Sequence, residues 1–352
     1  MAKEVRYTTT SDGVQIGYAV SGSGQYLVAM PDIGFSSMLL GERDLPDLDA
    51  WAEAVSKRFT YVRYDARGYG FSQHDVKDLS LLTWSLDLEA VVRAVGIESF
   101  ALVGWLGSSR VALEYVARHP GQISHIVALP ADYPILTSPE GESLESLVRH
   151  DWETFTETLA HVAMGWERSD RARELSAHWR RSTTRETYLQ FLNQFRWPSV
   201  GDVARLGSGL PPVLVLARRH KYLTQRIPAL SAILDSRVIL LPGNDALPYE
   251  GDIGLMIDTI SAFVDDEDSL RVPVAVVPES SPDALPGRHL TLREREVLDL
   301  MAVGKSNLEI ADELGISVRT VERHLMRIYG KFGVSGKSAR VIAAAHAILQ
   351  ET

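Results

Sequence analysis

The residues from Leu290 onward leave the chain little choice of structure, because three apolar-periodic segments are separated by turns with their own chemistry. Thr291, followed three residues later by Glu294, is a capping box that opens a first helix. The apolar face of that helix is Val297, Leu298, Met301 and Ala302, and Gly304 closes it. Ser306, with Asn307 after it, caps a short second helix that turns Ile310, Ala311 and Leu314 inward. Gly315 permits a tight turn, and Ser317, three before Thr320, starts a third helix that buries Val321, Leu325 and Ile328. The other face of the third helix holds Arg319, Thr320, Glu322, Arg323, Met326 and Arg327. The pattern predicts a helix-turn-helix.

This arrangement resembles the LuxR/FixJ-type DNA-binding domain, from Leu290 essentially to the end of the sequence. The resemblance implies that the third helix enters the major groove and that a fourth, roughly Lys337 to Leu349, forms a dimer contact on an inverted repeat. By the same likeness Glu322, Arg323 and Met326 face base edges, while Thr320, Arg327 and Lys331 face phosphates. Ser306, Asn307 and Arg319 complete the expected DNA-binding set. Glu322 stands where many relatives carry lysine, so base preference does not carry over. A carboxylate there accepts from cytosine N4 or orients Arg323, the better candidate for bidentate guanine reading. From Arg319 to Arg340 six basic residues face the single acid Glu322, whereas the whole chain has a net charge of −10. Attraction to phosphate is therefore local.

With 352 residues, 45% of them hydrophobic, the chain is expected to bury one large core and one small one. The expected domains are 1–264 and 289–352, and the acidic, proline-bearing stretch 265–288 reads as their linker. There is no cysteine, no run of eighteen apolar residues, and no signal-peptide pattern in the first residues. The expectation is a soluble, cytoplasmic protein off the membrane, without disulfides or thiolate metal sites. His74, Asp75 and His150 lack ligand spacing, so neither metal nor cofactor is expected.

Residues 1–264 alternate short aliphatic runs with amphipathic segments, the pattern of an α/β class with a largely parallel sheet covered on both faces. Predicted strands are Gln15–Val20, Tyr26–Met30, Phe59–Tyr64, Phe100–Val103, Ile123–Leu129, Val213–Ala217 and Arg237–Leu241, with helices Leu48–Ser56, Leu82–Val95 and Ser109–Ala117 between them. An aromatic-rich helical stretch, about 134–200, interrupts the series where a lid would be inserted. Three motifs carry a resemblance to the α/β-hydrolase fold. They are Tyr61 to Ser72, like the family's D-x-R-G-x-G-x-S stretch; Ala101 to Pro120, like the strand, elbow and helix around its nucleophile; and Leu241 to Asp252, like its histidine loop.

The family's chemistry is missing from the matching positions. A nucleophile elbow reads G-x-S-x-G, but here Gly104-Trp105-Leu106-Gly107-Ser108 puts leucine at its tip. Lys221 or His220 stands where the acid is expected, and Ala246 stands where the histidine follows Asp245. Ser108 and Ser109 are expected to cap the following helix. The resemblance therefore implies a pseudo-hydrolase domain whose cavity binds a small, largely apolar effector. Expected wall residues are Ile33, Phe35, Trp105, Leu106, Gly107, Ala246 and Leu247, with His220 and the lid aromatics Trp152, Phe155 and Trp166. The expected partners are duplex DNA, that effector and a second copy of the chain, and RNA polymerase is a further partner the reading allows. Two alternatives stay open: a regulator that still hydrolyses its inducer, and a hydrolase-like domain that serves only as a dimerisation or docking scaffold.

Overall fold

The computed structural model describes residues 4–31, 37–105, 108–129, 147–165, 168–194, 210–218, 236–243, 245, 247–265, 290–302 and 305–332. The first part runs β1 (Arg6–Thr9), β2 (Gln15–Ser21), β3 (Tyr26–Ala29), α1 (Met38–Asp44), α2 (Pro46–Ser56), β4 (Thr60–Tyr64), α3 (Leu81–Val95), β5 (Phe100–Trp105), α4 (Ser109–Arg118) and β6 (Ile123–Leu129). Helices α5 (Trp152–Met164), α6 (Ser169–Ser182) and α7 (Arg185–Gln194) then precede β7 (Val213–Arg218), β8 (Arg237–Leu241) and α8 (Ile253–Asp265). Three further helices follow: α9 (Leu292–Ala302), α10 (Asn307–Leu314) and α11 (Val318–Phe332).

The eight strands form one sheet in the order β1-β2-β4-β3-β5-β6-β7-β8. Only the β1–β2 and β2–β4 pairings are antiparallel. From β4 to β8 every neighbour is parallel. Parallel strands are covered on both faces, which is why they read as unbroken aliphatic runs. Every residue of β7, VLVLAR, is buried. The seven predicted strands are all present, and β1 is an addition. It is an exposed polar edge, RYTT, with no alternation to announce it. Helix α1 was also not predicted; seven residues hold too little periodicity, and its start is fixed instead by Ser37, whose side chain accepts from Leu40 N.

Spatial clustering divides the chain into two compact units, 1–134 with 177–275, and 135–176 with 276–352. In the first, Tyr188 and Phe191 of α7 are buried, and Phe191 packs against Trp84, which in turn meets Tyr69 edge-on. These lid aromatics belong to the core. Buried ion pairs secure the same unit, Arg63 with Glu42 and Arg67 with Asp87 (2.8 Å), and Arg67 also meets the exposed Asp12 at 2.7 Å. In the second, Val297, Leu298, Met301, Ile310, Ala311, Val321, Leu325 and Ile328 close a core among α9, α10 and α11. The predicted fourth helix and the predicted linker lie outside the described residues.

Candidate functional site

The turn after β4 is built by one carboxylate. Asp65, fully buried, accepts from Ser37 Oγ (2.7 Å), Leu39 N (3.1 Å) and Phe71 N (2.9 Å). Burial pushes it up to about 6, although these donors pull the other way. It thereby pins the start of α1, and with it the exit of the loop after β3, to the D-x-R-G-x-G-x-S turn. Gly70 sits in that turn at φ +53°; a Cβ there would lie 2.1 Å from Ser37 Oγ and 2.2 Å from Asp65 Oδ2. The turn also holds the connection between α6 and α7: Gly70 N donates to Ser182 O (2.8 Å), and Thr183 Oγ1 donates to Gly68 O (3.2 Å).

The elbow follows β5, where Gly104 faces the end of β3; an added Cβ would lie 3.2 Å from Met30 Cβ and 3.4 Å from Ser108 Cβ. Ser108 corrects one expectation. It stands at the N-cap of α4 but makes no side-chain cap bond, and its buried Oγ donates instead to Pro31 O at 2.7 Å. The reason is that its backbone is already helical, at φ −72° and ψ −19°, whereas a capping residue is usually extended.

Of the expected wall residues, Leu247 is buried and Phe155 is fully buried, stacked on Trp152 at 5.5 Å between ring centroids. The backbone of Trp105 ends β5. Ile33, Phe35, Leu106, Gly107, Trp166, His220, Lys221 and Ala246 lie outside the described residues. Just short of the acid position, buried Arg218 donates to Leu247 O (3.2 Å) and Asp252 O (2.9 Å). A cation thus fastens the loop that corresponds to the histidine loop.

The sequence reading missed His178, which is one residue of a helix that looks charged. It is fully buried, with Nε2 3.3 Å from Ser182 Oγ and Nδ1 3.6 Å from Asp44 Oδ2. Burial pulls the imidazole down to about 4 against the attraction of Asp44. The order of groups is that of a hydrolytic triad, but Ser182 is wholly buried and its hydroxyl donates to His178 O at 2.9 Å. The cluster knits α6 to α1. His119 stacks on Tyr115 and His125 meets Phe263 edge-on, so both have structural partners.

In the second unit the caps predicted at Thr291, Ser306, Gly315 and Ser317 are present, while Gly304 lies outside the described residues. Thr291 N and Oγ1 donate to Glu294 Oε2, and Glu294 N donates back to Thr291 Oγ1. Ser306 and Glu309 form a second capping box, Gly315 takes the left-handed conformation at φ +62°, and Thr320 N donates to Ser317 Oγ. Asn307 begins α10, and Ser306 is occupied as its cap. On α11 Arg319, Glu322, Arg323, Met326 and Arg327 are exposed, and Thr320 is half-buried. Lys331 differs from the sequence reading, which placed it among phosphate-facing cations. Its Nζ lies 2.7 Å from Glu294 Oε2, whose side chain is only 3% exposed. The Glu294 carboxyl is held down to about 2: its burial works against this, but the Lys331 and Thr291 donors outweigh it.

Comparison with known proteins interprets both units. The model of the alpha/beta hydrolase fold matches residues 40–240, more than half of the chain. The chain belongs to the α/β-hydrolase fold family. Outside that span, residues 288–344 match the bacterial regulatory proteins of the luxR family. The protein is thus an α/β-hydrolase-fold domain joined to a LuxR-type DNA-binding regulator domain. Its C-terminal part is 43% identical over 65 residues to the transcriptional regulatory protein LiaR of Bacillus subtilis, covering 18% of this chain and 31% of LiaR. It is 47% identical over 53 residues to the spore germination protein GerE of the same organism, 15% of this chain and 72% of GerE. The chain therefore spans about a third of the length of LiaR. The crystal structure of bromoperoxidase from Bacillus anthracis matches with a TM-score of 0.60 and 16% identity, over 75% of this chain and all of that one, which speaks for the fold alone.

Proposed function

We propose that the protein is a ligand-responsive transcriptional regulator whose hydrolase-fold domain binds a small, largely apolar molecule without hydrolysing it and thereby governs the DNA-binding domain. The observation that carries this reading is the elbow. Leu106 at its tip has no nucleophilic atom, and the nearest hydroxyl on the helix side, Ser108, is spent on Pro31 O. Arg218 clamps the histidine-equivalent loop through carbonyls, where a hydrolase needs an acid oriented toward a histidine. An elbow whose tip residue is apolar suits recognition by apolar walls with a few polar groups.

In this reading residues 1–264 sense, 265–288 link and 289–352 bind an inverted repeat as a homodimer in the cytoplasm. Control requires that the effector bind two arrangements of the protein unequally. The test pairs two measurements on the full chain. Ester, lactone and epoxide substrates should show no turnover above background, and saturable hydrolysis abolished by Ser108→Ala would return the protein to the enzymes. Metabolites that co-purify should raise thermal stability, by about 2.7 kcal/mol at a hundredfold excess over Kd. A folded Leu106→Trp variant should lose that response, and an unchanged response would move the sensing site away from the elbow.

A further inference from the structure

Met326 is at odds with the helix that carries it. Helix α11 hides Val321, Leu325 and Ile328, while Met326 is 70% exposed among charged neighbours. It lies three residues after Arg323, four after Glu322 and seven after Arg319, so the four share one stripe of the helix surface. That stripe is charged and able to form hydrogen bonds until its last member. There it ends on a flexible, polarizable thioether, which packs well against small apolar groups and gains nothing from water.

Duplex DNA is the occupant to which the charge commits this face. Arg319, Arg323 and Arg327 have no carboxylate partner among the described residues, and the helix belongs to a LuxR-type regulator domain. Within the major groove every base edge offers hydrogen-bond donors or acceptors, and the one apolar feature is the thymine 5-methyl group. Neither Arg323 nor Glu322 can favour that methyl over a bare ring edge; Met326 can. We propose that Met326 is a specificity-determining residue that packs on a thymine methyl, one or two base pairs from the base read by Arg323. The offset follows from geometry, since three helical residues advance about 4.5 Å and one base step about 3.4 Å. This proposal rests on the DNA-binding reading above and deepens it.

The experiment uses the full chain. Random duplex DNA is selected with the wild type, Arg323→Ala and Met326→Ala, and the wild-type consensus is then resynthesised with uracil replacing each thymine in turn. The expected consensus contains a thymine adjacent or next-adjacent to the position whose preference Arg323→Ala relaxes. Uracil there should weaken wild-type binding about fourfold, the effect of leaving one methyl unburied, and 5-methylcytosine opposite guanine at that position should recover part of the loss. Met326→Ala should bind the thymine and uracil duplexes alike. An exposed side chain makes this variant a safe one to fold. Equal wild-type affinity for thymine and uracil DNA at every position overturns the proposal while leaving DNA binding intact, as does a uracil penalty that persists in Met326→Ala. Failure to enrich or bind any duplex overturns the DNA-binding reading together with it.

Discussion

Replacing Glu294 by Gln removes one negative charge from a site that ties the start of α9 to the last turn of α11. A single oxygen, Oε2, takes three donors: Thr291 N at 2.7 Å, Thr291 Oγ1 at 3.0 Å and Lys331 Nζ at 2.7 Å. The amide oxygen can still accept, but the bonds lose their charge assistance and Lys331 is left beside a neutral group. Two routes give the magnitude. The depression of the carboxyl from its ordinary 4.5 to about 2 corresponds to about 3 kcal/mol. Glutamine keeps the capping box, so the second route counts only the weakening of a partly buried charged hydrogen bond, about 1.5–3 kcal/mol. We therefore expect Glu294→Gln to lower the opening free energy of residues 290–332 by about 2–3 kcal/mol, a large share of what a small domain has. Because the folded value is depressed, this stabilisation is fully present above pH 4.5 and is lost as pH falls toward 2. The assay is hydrogen exchange at neutral pH on peptides covering α9 and α11, where protection should fall by roughly 30- to 150-fold. Calorimetry from pH 7 down to pH 3 follows the gap between wild type and variant, which should shrink at the acid end. Protection within a few-fold of wild type, or a gap that stays constant from pH 7 to pH 3, would refute the reasoning.

Other substitutions separate the remaining claims. Arg323→Ala should lose about 1–3 kcal/mol on a selected site and relax preference at one base position; an equal loss on random DNA would remove Arg323 from base reading. Lys331→Ala should lower domain stability as well as DNA affinity, and a variant that binds less tightly with unchanged hydrogen exchange would show that the pair with Glu294 contributes nothing. Asp87→Asn strips the buried Arg67 of its most enclosed partner, at 2.8 Å, and should destabilise the hydrolase-fold domain by about 3–5 kcal/mol in urea; a loss below about 1 kcal/mol would mean that Asp12 alone satisfies the guanidinium.

What could be read in the sequence followed the strength of its local patterns. The aliphatic β7, the glycine-closed α3 and the three capped helices each carry their fold in consecutive residues. The polar edge strand β1 does not, because a strand exposed along its length gains little from alternation. The site divides in the same way. The exchange of serine for Leu106 at the elbow is visible in the chain, as are the exposed residues of α11. By contrast, Lys331 meets Glu294 across 37 positions and His178 meets Asp44 across more than a hundred, pairings made by packing that no spacing rule announces. His178 lies in a segment whose arginines suggest a solvated helix, and only the tertiary structure shows which face is inside.

Gly70 and Leu106 stand on opposite sides of a division of labour. At Gly70 even one methyl would collide with Ser37 and Asp65, whose hydrogen bonds set the route of the chain from the turn after β4 to the start of α1. Leu106, in the proposed function, instead sets which molecule the elbow admits. In that reading the route and the cargo are specified by different residues. A library of substitutions confined to the elbow should therefore yield folded proteins with altered ligand preference, whereas the same library placed at the turn after β4 should yield almost none that fold.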